Sequence, residues 1–490
     1  MRLVPTLAAA DAVSWRNAGR LEISGITADS RRVAPGYLFA ALPGSRVDGR
    51  SFIADAVARG AVAVLAPAGT AWPPGVPPRP LLEDPEPRRR LAQLAAGLAG
   101  SQPRTVVAVT GTNGKTSTVE FLRQIWTAAG KRAASLGTLG LTAPGFDPGP
   151  GLTTPDPVNL AETLAQLAGA GVQHAAIEAS SHGLDQFRLD GVRLAAGAFT
   201  NLTRDHLDYH GSEAAYRIAK LRLFTELLPA GVPVVASSDM DAVTLAALTN
   251  IARNRRLDLR TVGEVGSTIR LLGAEPRPDG QVLRIDMAGA QHEIVLPLPG
   301  RFQADNALMA AALAAALGEH DVLNRLASLR GVRGRLELAA RLPNGAAVYV
   351  DYAHTPNALE RLLTALRPHT TGRLHVVFGD GGDRDRGKRP LMGAAAARLA
   401  DVAIVTDDNP RSEDPAAIRA AVLAACPGGR EIGDRAGAIA EALNGLAAGD
   451  VLAVAGKGHE QGQTVGNTVI PFDDVDVVRQ LVRHHSGSGP

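Results

Sequence analysis

Residues 110–117 read TGTNGKTS and combine two glycines with Lys115, Thr116 and Ser117. Backbone N–H groups of a glycine-containing turn at a helix N-terminus bind phosphate oxygens, a lysine adds positive charge, and a threonine hydroxyl can bind Mg²⁺. The first glycine of the longer phosphate-loop pattern is replaced by Val109, which leaves the shorter form G-T-N-G-K-T. The alternative is an ordinary strand-to-helix turn that contains a lysine.

The segments on both sides of these residues favour a nucleotide-binding loop. Residues 105–109 (TVVAV) predict a buried parallel strand, and apolar residues follow at helical spacing, among them Val119, Leu122 and Ile125. A strand, a glycine-containing turn and a helix that starts with lysine form the arrangement that holds nucleotide phosphates. We therefore interpret residues 110–117 as a nucleotide-binding loop.

Other polar residues follow strands of the same region. Strand and helix patterns alternate over residues 102–336, which is typical of a doubly wound sheet. The predicted strand at 174–178 ends in Glu178, and another runs into NLTRDHLDYHG, which contains His206. Ligands of such sheets collect beyond the carboxyl ends of the strands, so we expect both side chains beside the phosphate loop, where they suit Mg²⁺. Surface packing of the histidine-rich segment is the alternative.

Two helices complete this region. One, AAYRIAKLRLFTELL, carries Lys220, and its spacing alone favours an ordinary lysine in solvent. The other, FQADNALMAAALAAALG, is alanine-rich, carries Asn306 in its first turn and ends at Gly318.

A third α/β region begins near residue 337. Its predicted strands end in the loops DYAH, GDGGDRDRGKRP, TDDNPRSEDP and GKGHEQGQ. Parallel strands would bring these loops to one edge of a sheet. Charges of both signs would then meet there, which suits a substrate carrying carboxylates and an amine, although solvated loops are the alternative. The residues expected at this edge are Arg384, Asn409, Arg411, Lys457 and Glu460.

The bulk composition limits the class of protein. The chain has 490 residues, 45% of them hydrophobic, and a formal net charge of +2, so we expect about three globular domains and no nucleic-acid partner. A single cysteine, Cys426, excludes a disulfide framework and a cysteine metal site. We read no signal peptide, because Asp11 interrupts the N-terminal apolar residues, and no membrane span. These features predict a soluble, cytoplasmic protein.

We place domain boundaries at residues 1–100, 101–336 and 337–490. The Pro/Gly-rich residues 67–80 indicate a loop rather than a boundary, because a helix pattern follows them, and residues 101–104 are the better linker. In the first domain Ser30 could contact a ligand, although an ordinary position in a surface loop is the favoured interpretation.

Taken together, the motifs TGTNGKTS, EASSHGL, NLTRDHLDYHG, DYAHTPNAL, FGDGGDRDRGKRPLMG, DNPRSEDP and GKGHE resemble the Mur ligase family over nearly the whole chain. The resemblance implies an N-terminal UDP-binding domain, a central ATP-binding domain and a C-terminal Rossmann-like domain. It also implies ATP-dependent amide formation, in which a D-glutamyl carboxylate of a UDP-N-acetylmuramoyl dipeptide is phosphorylated and then attacked by an amino acid. Arg411 in DNPR points to family members that add meso-2,6-diaminopimelate in peptidoglycan precursor synthesis.

The resemblance also assigns individual residues. It implies that Lys220 is carbamylated and binds a second Mg²⁺, which contradicts the interpretation from spacing alone. Leu152 departs from the family pattern beside the UDP-substrate contacts. The implied ATP contacts are Gly111, Thr112, Asn113, Gly114, Lys115, Thr116, Ser117, Asn306, Arg335 and Asp351. The implied magnesium ligands are Thr116, Glu178, His206 and Lys220. The implied UDP-substrate contacts are Ser30, Thr153, Thr154, Ser180, Gln186 and Arg188. The implied diaminopimelate contacts are Arg384, Asp408, Asn409, Pro410, Arg411, Gly456 and Glu460.

Several alternatives stay open at this point. The chain could be a lysine-adding relative, a ligase similar to folylpolyglutamate synthase, or a nucleotide-dependent regulatory ATPase without ligase activity. The base that accepts the proton of the attacking amine is not evident, and His354 is an undecided candidate. We expect a monomer.

Overall fold

The computed structural model describes residues 14–16, 21–44, 47–147, 152–203 and 205–487. The expectation that the N-terminus carries no signal peptide concerns residues that lie almost entirely outside these ranges. The chain divides into two compact units, Met1–Arg260 with Leu313–Glu319, and Thr261–Ala312 with His320–Pro490. Within the described ranges, no helix has the length and apolar character needed to cross a membrane.

The first unit begins with a five-stranded sheet in the order β1-β5-β4-β3-β2, parallel except for β1. Its elements are β1 (Ser14–Arg16), β2 (Gly25–Thr27), β3 (Tyr37–Ala40), α1 (Ile53–Ala58), β4 (Ala63–Pro67), β5 (Leu81–Asp84) and α2 (Pro87–Ala99). The predicted loop at 67–80 and the helix after it are confirmed, and the helix starts with proline at its first position, where no N–H is needed.

The second sheet of this unit contains the phosphate-loop segment. Its strands are β6 (Thr105–Thr110), β7 (Ala133–Gly137), β8 (Gly140–Thr142), β9 (His174–Glu178), β10 (Ala196–Phe199) and β11 (Pro233–Ser237). Its helices are α3 (Lys115–Ala128), α4 (Pro157–Gly169), α5 (Ser181–Asp185), α6 (Leu207–His210), α7 (Glu213–Arg222) and α8 (Ala242–Arg255). The order β11-β10-β6-β9-β7-β8 is parallel apart from β8, as predicted. After β6 the chain forms β7, β8 and β9 on one side of this strand and then crosses to form β10 and β11 on the other side. The crevice beyond the carboxyl end of β6 is therefore a topological switch point.

The second unit begins near the end of β12 (Asp258–Gly263), whose last residues pair in parallel with β13 (Ile269–Arg277). The antiparallel strands β14 (Gly280–Met287) and β15 (Ala290–Leu296) follow. Next come α9 (Arg301–Ala316), whose residues from Leu313 onward are assigned to the first unit, and α10 (Val322–Leu326). The predicted end of the alanine-rich helix is confirmed, since Gly318 has φ +89° and its N–H bonds to Ala315 O.

The C-terminal sheet has the order β16-β17-β21-β18-β19-β20, with β17 to β20 and β21 parallel. Its strands are β16 (Glu337–Arg341), β17 (Ala347–Asp351), β18 (Leu374–Phe378), β19 (Val402–Val405), β20 (Arg430–Glu431) and β21 (Val451–Ala455), and β22 (Gly462–Val465) and β23 (Thr468–Pro471) form a hairpin. Its helices are α11 (Pro356–Leu366), α12 (Lys388–Leu399), α13 (Pro415–Leu423), α14 (Arg435–Asn444) and α15 (Asp474–Gly487). Hydrophobic cores lie on both faces of this sheet, so the predicted Rossmann-like architecture is confirmed.

Candidate active site

The loop between β6 and α3 has the geometry of a phosphate cradle. Gly114, with φ +85°, precedes the helix, and no side chain caps the helix start. Gly111 has φ +142°, and a Cβ at this position would lie 1.8 Å from Thr200 Oγ1. Only glycine therefore allows the loop to pass this close to the neighbouring segment and to lead into the N-terminus of α3, which favours an anion.

Lys115 folds over this loop. Its Nζ donates hydrogen bonds to Gly111 O at 3.0 Å and Thr112 O at 2.9 Å. These contacts hold the ammonium group beside the helix N-terminus, where the α3 dipole and the lysine charge both favour a phosphate.

The segment after β10 holds the loop in shape, a role that the sequence alone did not indicate. Thr112 N donates to Asn201 O at 2.8 Å, and Asn113 N donates to Asn201 Oδ1 at 3.1 Å. Thr200 Oγ1 donates to Asn113 O at 2.6 Å, and Tyr216 OH lies 3.2 Å from Thr112 Oγ1. The sequence did contain an indication of this role that we did not use, because the residues NLT follow a predicted strand that neighbours β6.

Lys220 contradicts the interpretation from its spacing. The side chain is only 1% exposed, and its Nζ donates to Gly111 O at 2.7 Å and lies 4.5 Å from the centre of the Tyr216 ring. Burial, followed by repulsion from Lys115, holds the pKa of the Lys220 ammonium well below its usual range, although Asp205 opposes this. Lys220 is thus a buried amine directly under the phosphate loop, not a lysine in solvent.

Glu178 ends β9 and is opposite Val109 of β6 in the sheet register. Its carboxylate is buried and accepts hydrogen bonds from Thr138 N at 2.8 Å and Thr138 Oγ1 at 3.3 Å. An anchored carboxylate at the carboxyl edge of the sheet supplies the oxygen ligands that Mg²⁺ prefers.

His206 follows β10 at the same edge. It has φ +51° and a half-exposed side chain, and its ring centre lies 5.0 Å from that of His182. Burial, and the nearby His206 and His210, lower the pKa of His182. In the part of the chain that the structure describes, no three His, Cys, Asp or Glu side chains form a metal-binding group. Because Mg²⁺ usually takes few protein ligands, together with phosphate oxygens and water, the ligand set stays a prediction.

Five residues predicted to contact the UDP-substrate form one hydrogen-bonded network. Thr154 Oγ1 donates to Glu178 O at 2.8 Å and lies 3.0 Å from Ser180 Oγ. The guanidinium of Arg188 donates to Thr154 O and to Gln186 Oε1, both at 2.7 Å. Thr153 Oγ1 lies 3.0 Å from the Thr138 hydroxyl that binds Glu178.

Ser30 lies apart from this network in the described contacts. It starts the 3₁₀ turn Ser30–Arg32 after β2, and Asp29 caps this turn.

Within the network, burial lowers the pKa of Arg188, which indicates a cation held partly out of solvent.

The predicted nucleotide contacts of the second unit are also neighbours. Asp351 accepts hydrogen bonds from Leu336 N at 2.7 Å and Ala353 N at 2.9 Å, and burial raises its pKa although Arg335 opposes this. Arg335 lies over the Tyr352 ring at 5.0 Å. Through Gln303, which the sequence analysis did not single out, Arg335 O is linked to Asn306.

A cavity of about 350 Å³ opens at the carboxyl edge of the C-terminal sheet. It is lined by six of the predicted amino-acid contacts, namely Arg384, Asp408, Asn409, Arg411, Gly456 and Glu460. Pro410 does not line it, and its carbonyl instead accepts a hydrogen bond from Glu413 N at 3.1 Å. The expected meeting of the loops at one edge is therefore confirmed.

The walls of this cavity carry both charge signs. Arg411 has φ +51°, and its Nη1 donates to Gly382 O at 2.7 Å. The Oδ2 atom of Asp408 is buried and accepts no hydrogen bond within the described residues. Asp380 and Lys388, which the sequence analysis did not single out, form a 2.6 Å ion pair at the wall. Such a cavity suits a ligand with carboxylates and ammonium groups.

Lys457 follows β21 at the predicted edge of the sheet, but its side chain does not line the cavity. Its side chain is fully buried, and its Nζ donates to Asn409 Oδ1 and Glu460 Oε2. The reason is that Asn409 and Glu460 on the cavity wall each turn one oxygen inward to the ammonium group.

His354 lines the cavity, and its Nδ1 lies 2.8 Å from Tyr352 O. A carbonyl oxygen can only accept, so Nδ1 carries the proton and Nε2 keeps a lone pair in the neutral ring. His354 can therefore accept a proton and stays a candidate base.

Three family models match the chain. They are described as the Mur ligase family, catalytic domain, at residues 22–97, the Mur ligase middle domain at 109–314, and the Mur ligase, glutamate ligase domain, at 334–458.

Curated proteins and solved structures agree with these models. A protein from Caulobacter vibrioides, named UDP-N-acetylmuramoyl-L-alanyl-D-glutamate–2,6-diaminopimelate ligase, is 56% identical over 463 residues, covering 92% of this chain and 94% of that protein. A protein of the same name from Mesorhizobium japonicum is 53% identical and covers 95% of this chain and 96% of that protein. A solved structure of a ligase with this name is 33% identical, with a TM-score of 0.73 and coverage of 96% of this chain and 97% of that chain. Matched by all three models and by relatives more than half identical over nearly its whole length, the chain belongs to the Mur ligase family.

Proposed function

We propose that this protein is an acid–amino-acid ligase that adds meso-2,6-diaminopimelate to the D-glutamate of UDP-N-acetylmuramoyl-L-alanyl-D-glutamate, with ATP as the energy source, in peptidoglycan precursor synthesis. The observation that carries the proposal is the cavity of the C-terminal sheet, where Arg384 and Arg411 face Asp408 and Glu460. The names of the relatives support the same substrates.

The cavity fits diaminopimelate by charge. This amino acid has two carboxylates and two ammonium groups, whereas lysine lacks the carboxylate at the end of its side chain. A guanidinium holds a carboxylate through two parallel hydrogen bonds, and Arg411 is placed to do so. The carboxylates of Asp408 and Glu460 suit the ammonium groups.

The first chemical step needs a better leaving group on the D-glutamyl carboxylate. Phosphorylation by ATP supplies it, and Mg²⁺ held by Thr116 and Glu178 would neutralise charge on the phosphates. The amides at the N-terminus of α3 orient the phosphates, and Lys115 stabilises negative charge on the transferred group. The network around Thr154 and Arg188 would hold the UDP-substrate beside Glu178.

In the second step the neutral amine of diaminopimelate attacks the acyl carbon. The carbon–nitrogen bond forms as phosphate leaves, and the amine loses a proton, for which His354 Nε2 is a candidate acceptor. The cavity orients the amino acid, so that the attack becomes effectively intramolecular.

We further propose that Lys220 is carbamylated. Burial favours the neutral form of its amine, which can attack the carbon of CO₂ and release a proton, and this leaves a carbamate with two oxygens under the phosphate loop. A carbamate converts a nitrogen donor into the oxygen ligand that a second Mg²⁺ requires.

Three further features belong to the proposal. The chain would act in the cytoplasm as a monomer without nucleic-acid partners. It would be organised in domains at residues 1–100, 101–336 and 337–490. Asn306, Arg335 and Asp351 would contact the nucleotide, and Ser30 would contact the UDP-substrate.

The test is phosphate release from ATP with the UDP-dipeptide present and one amino acid added at a time. Turnover with meso-diaminopimelate, and little with L-lysine, L-glutamate or no amino acid, supports the proposal. Efficient turnover with L-lysine would make the protein a lysine-adding ligase, and turnover only with a folate and glutamate would favour the folylpolyglutamate synthase alternative. ATP binding without turnover on any acceptor would favour a regulatory ATPase.

A further inference from the structure

Lys457 is a fully buried lysine that the reaction outlined above does not use. It lies between Gly456, with φ +119°, and Gly458, with φ +56°. A Cβ at Gly456 would lie 2.3 Å from Asp408 Oδ2, and one at Gly458 would lie 2.7 Å from Tyr352 Cβ. The two glycines therefore let the backbone turn tightly against the cavity wall, with the lysine side chain on the protein side.

The Lys457 ammonium group fixes the orientation of the Asn409 amide. Lys457 Nζ lies 3.1 Å from Asn409 Oδ1, and Thr464 N lies 2.9 Å from the same oxygen. Both partners can only donate, so this atom is the carbonyl oxygen and the amide nitrogen faces the other way. That nitrogen donates to Glu460 Oε2 at 2.9 Å.

The same ammonium group holds one oxygen of Glu460. Oε2 accepts from Lys457 Nζ at 3.3 Å as well as from Asn409, whereas Oε1 accepts no hydrogen bond within the described residues. The Glu460 side chain is 35% exposed and lines the cavity. One carboxylate oxygen is thus anchored, and the other remains for a ligand.

We propose that Lys457 is a positioning residue for the amino-acid substrate. It does not line the cavity, and it acts through Asn409 and Glu460, whose remaining polar atoms then face an ammonium or carboxylate group of diaminopimelate. The positive charge also compensates the Glu460 carboxylate when the cavity is empty. This inference rests on the proposed function.

The test compares Lys457→Met, Glu460→Gln and the double variant in the phosphate-release assay. Methionine keeps the length and volume of the buried side chain but cannot donate. Arg398→Met is the matched control, since Arg398 is an exposed residue of the same sheet region whose described partner is Glu360. The Michaelis constant, KM, is measured for diaminopimelate, ATP and the UDP-dipeptide separately.

We expect Lys457→Met to raise KM for diaminopimelate by about tenfold or more, because a charged hydrogen-bond network is lost. The kcat value and the other two KM values should stay within about threefold of the wild type, as should all values of the control. The double variant should be no more than about threefold worse than Glu460→Gln, because both changes remove the same interaction.

Two results would overturn the inference. One is an unchanged KM for diaminopimelate in Lys457→Met, and the other is an equal rise for all three substrates, which indicates a general structural role. If the single variant does not fold, the double variant decides, because it also lacks the Glu460 carboxylate whose cation has been removed: a KM more than about tenfold above that of Glu460→Gln contradicts the inference. A wild type that fails to use diaminopimelate would instead contradict the proposed function.

Discussion

Replacing Arg411 by alanine tests the basis of amino-acid selection. Arg411 has φ +51°, and its backbone is held on both sides, since its N–H donates to Thr464 O at 3.0 Å and its carbonyl accepts from Gly466 N at 2.7 Å. Alanine also carries a Cβ, so it bears the same backbone strain, and neither backbone bond involves the side chain. The substitution therefore removes the guanidinium, with its hydrogen bond to Gly382 O, and keeps both backbone bonds of residue 411.

The expected loss of kcat/KM follows from the substrate carboxylate that loses its charged partner. Without Arg411 the second carboxylate of diaminopimelate enters the cavity without its bidentate partner. Removing one member of a buried charged pair costs about 2–5 kcal/mol, or about 30- to 5,000-fold in kcat/KM. L-lysine has no carboxylate at that end, so its turnover should change much less. The preference for diaminopimelate over lysine should fall by most of this factor.

The assay is steady-state phosphate release with each amino acid, at saturating ATP and UDP-dipeptide. The matched control is Arg386→Ala in the neighbouring loop, whose exposed guanidinium pairs with Glu413 at 3.1 Å and does not line the cavity. The control should keep the wild-type preference. Equal losses with both amino acids in Arg411→Ala, or an unchanged preference, would refute the role of Arg411 in recognising the second carboxylate.

Three further predictions concern buried or loop charges. Lys115→Ala should lose at least about 90% of phosphate release, because phosphate clamps contribute several kcal/mol. Calorimetry should find an unchanged affinity for the UDP-dipeptide, and a residual turnover above about a tenth of the wild-type value would contradict the role of Lys115. Lys220→Ala should be nearly inactive and partly restored by short carboxylic acids, and an unmodified lysine in a native mass spectrum of active protein would contradict carbamylation. Asp474→Asn should lower the free energy of unfolding of the second unit in urea by about 3–5 kcal/mol, because the fully buried Arg435 loses the carboxylate that it contacts at 2.7 Å. A decrease below about 1 kcal/mol would mean that other groups compensate the Arg435 charge.

Much of the fold follows from local sequence patterns. The strand at 105–109 and the strand at 174–178 are continuous apolar runs of the length that parallel sheets bury, and both lie within one residue of their predicted bounds. The loops that line the cavity each begin where such a run ends. Because parallel strands end at one edge, the meeting of Asp408 with Glu460 could be predicted without knowing the order of the strands.

The inward direction of a charged side chain is harder to predict, because it depends on which groups another segment brings to it. Lys457 follows the buried strand β21, and a loop after such a strand is normally polar and exposed. It points inward because Asn409, which is distant in sequence, places a carbonyl oxygen where the ammonium group can reach it. The glycines at 456 and 458 were a signal, since both adopt positive φ where the chain turns tightly.

The sequence contained a stronger indication that Lys220 is buried, namely the spacing of the apolar residues in its own helix. Tyr216, Ala219 and Leu223 are all buried, and with Lys220 they follow the spacing i, i+3, i+4, i+7 that defines one helix face. A lysine on the apolar face of a helix is buried unless the helix is displaced, so this spacing could have placed Lys220 in the interior, although we interpreted it from its spacing as a lysine in solvent. Burial lowers the pKa of the Lys220 amine, and a buried amine under a phosphate loop is a candidate functional group. The general lesson is that the position of a charged residue within the hydrophobic period deserves more weight than the average preference of its residue type.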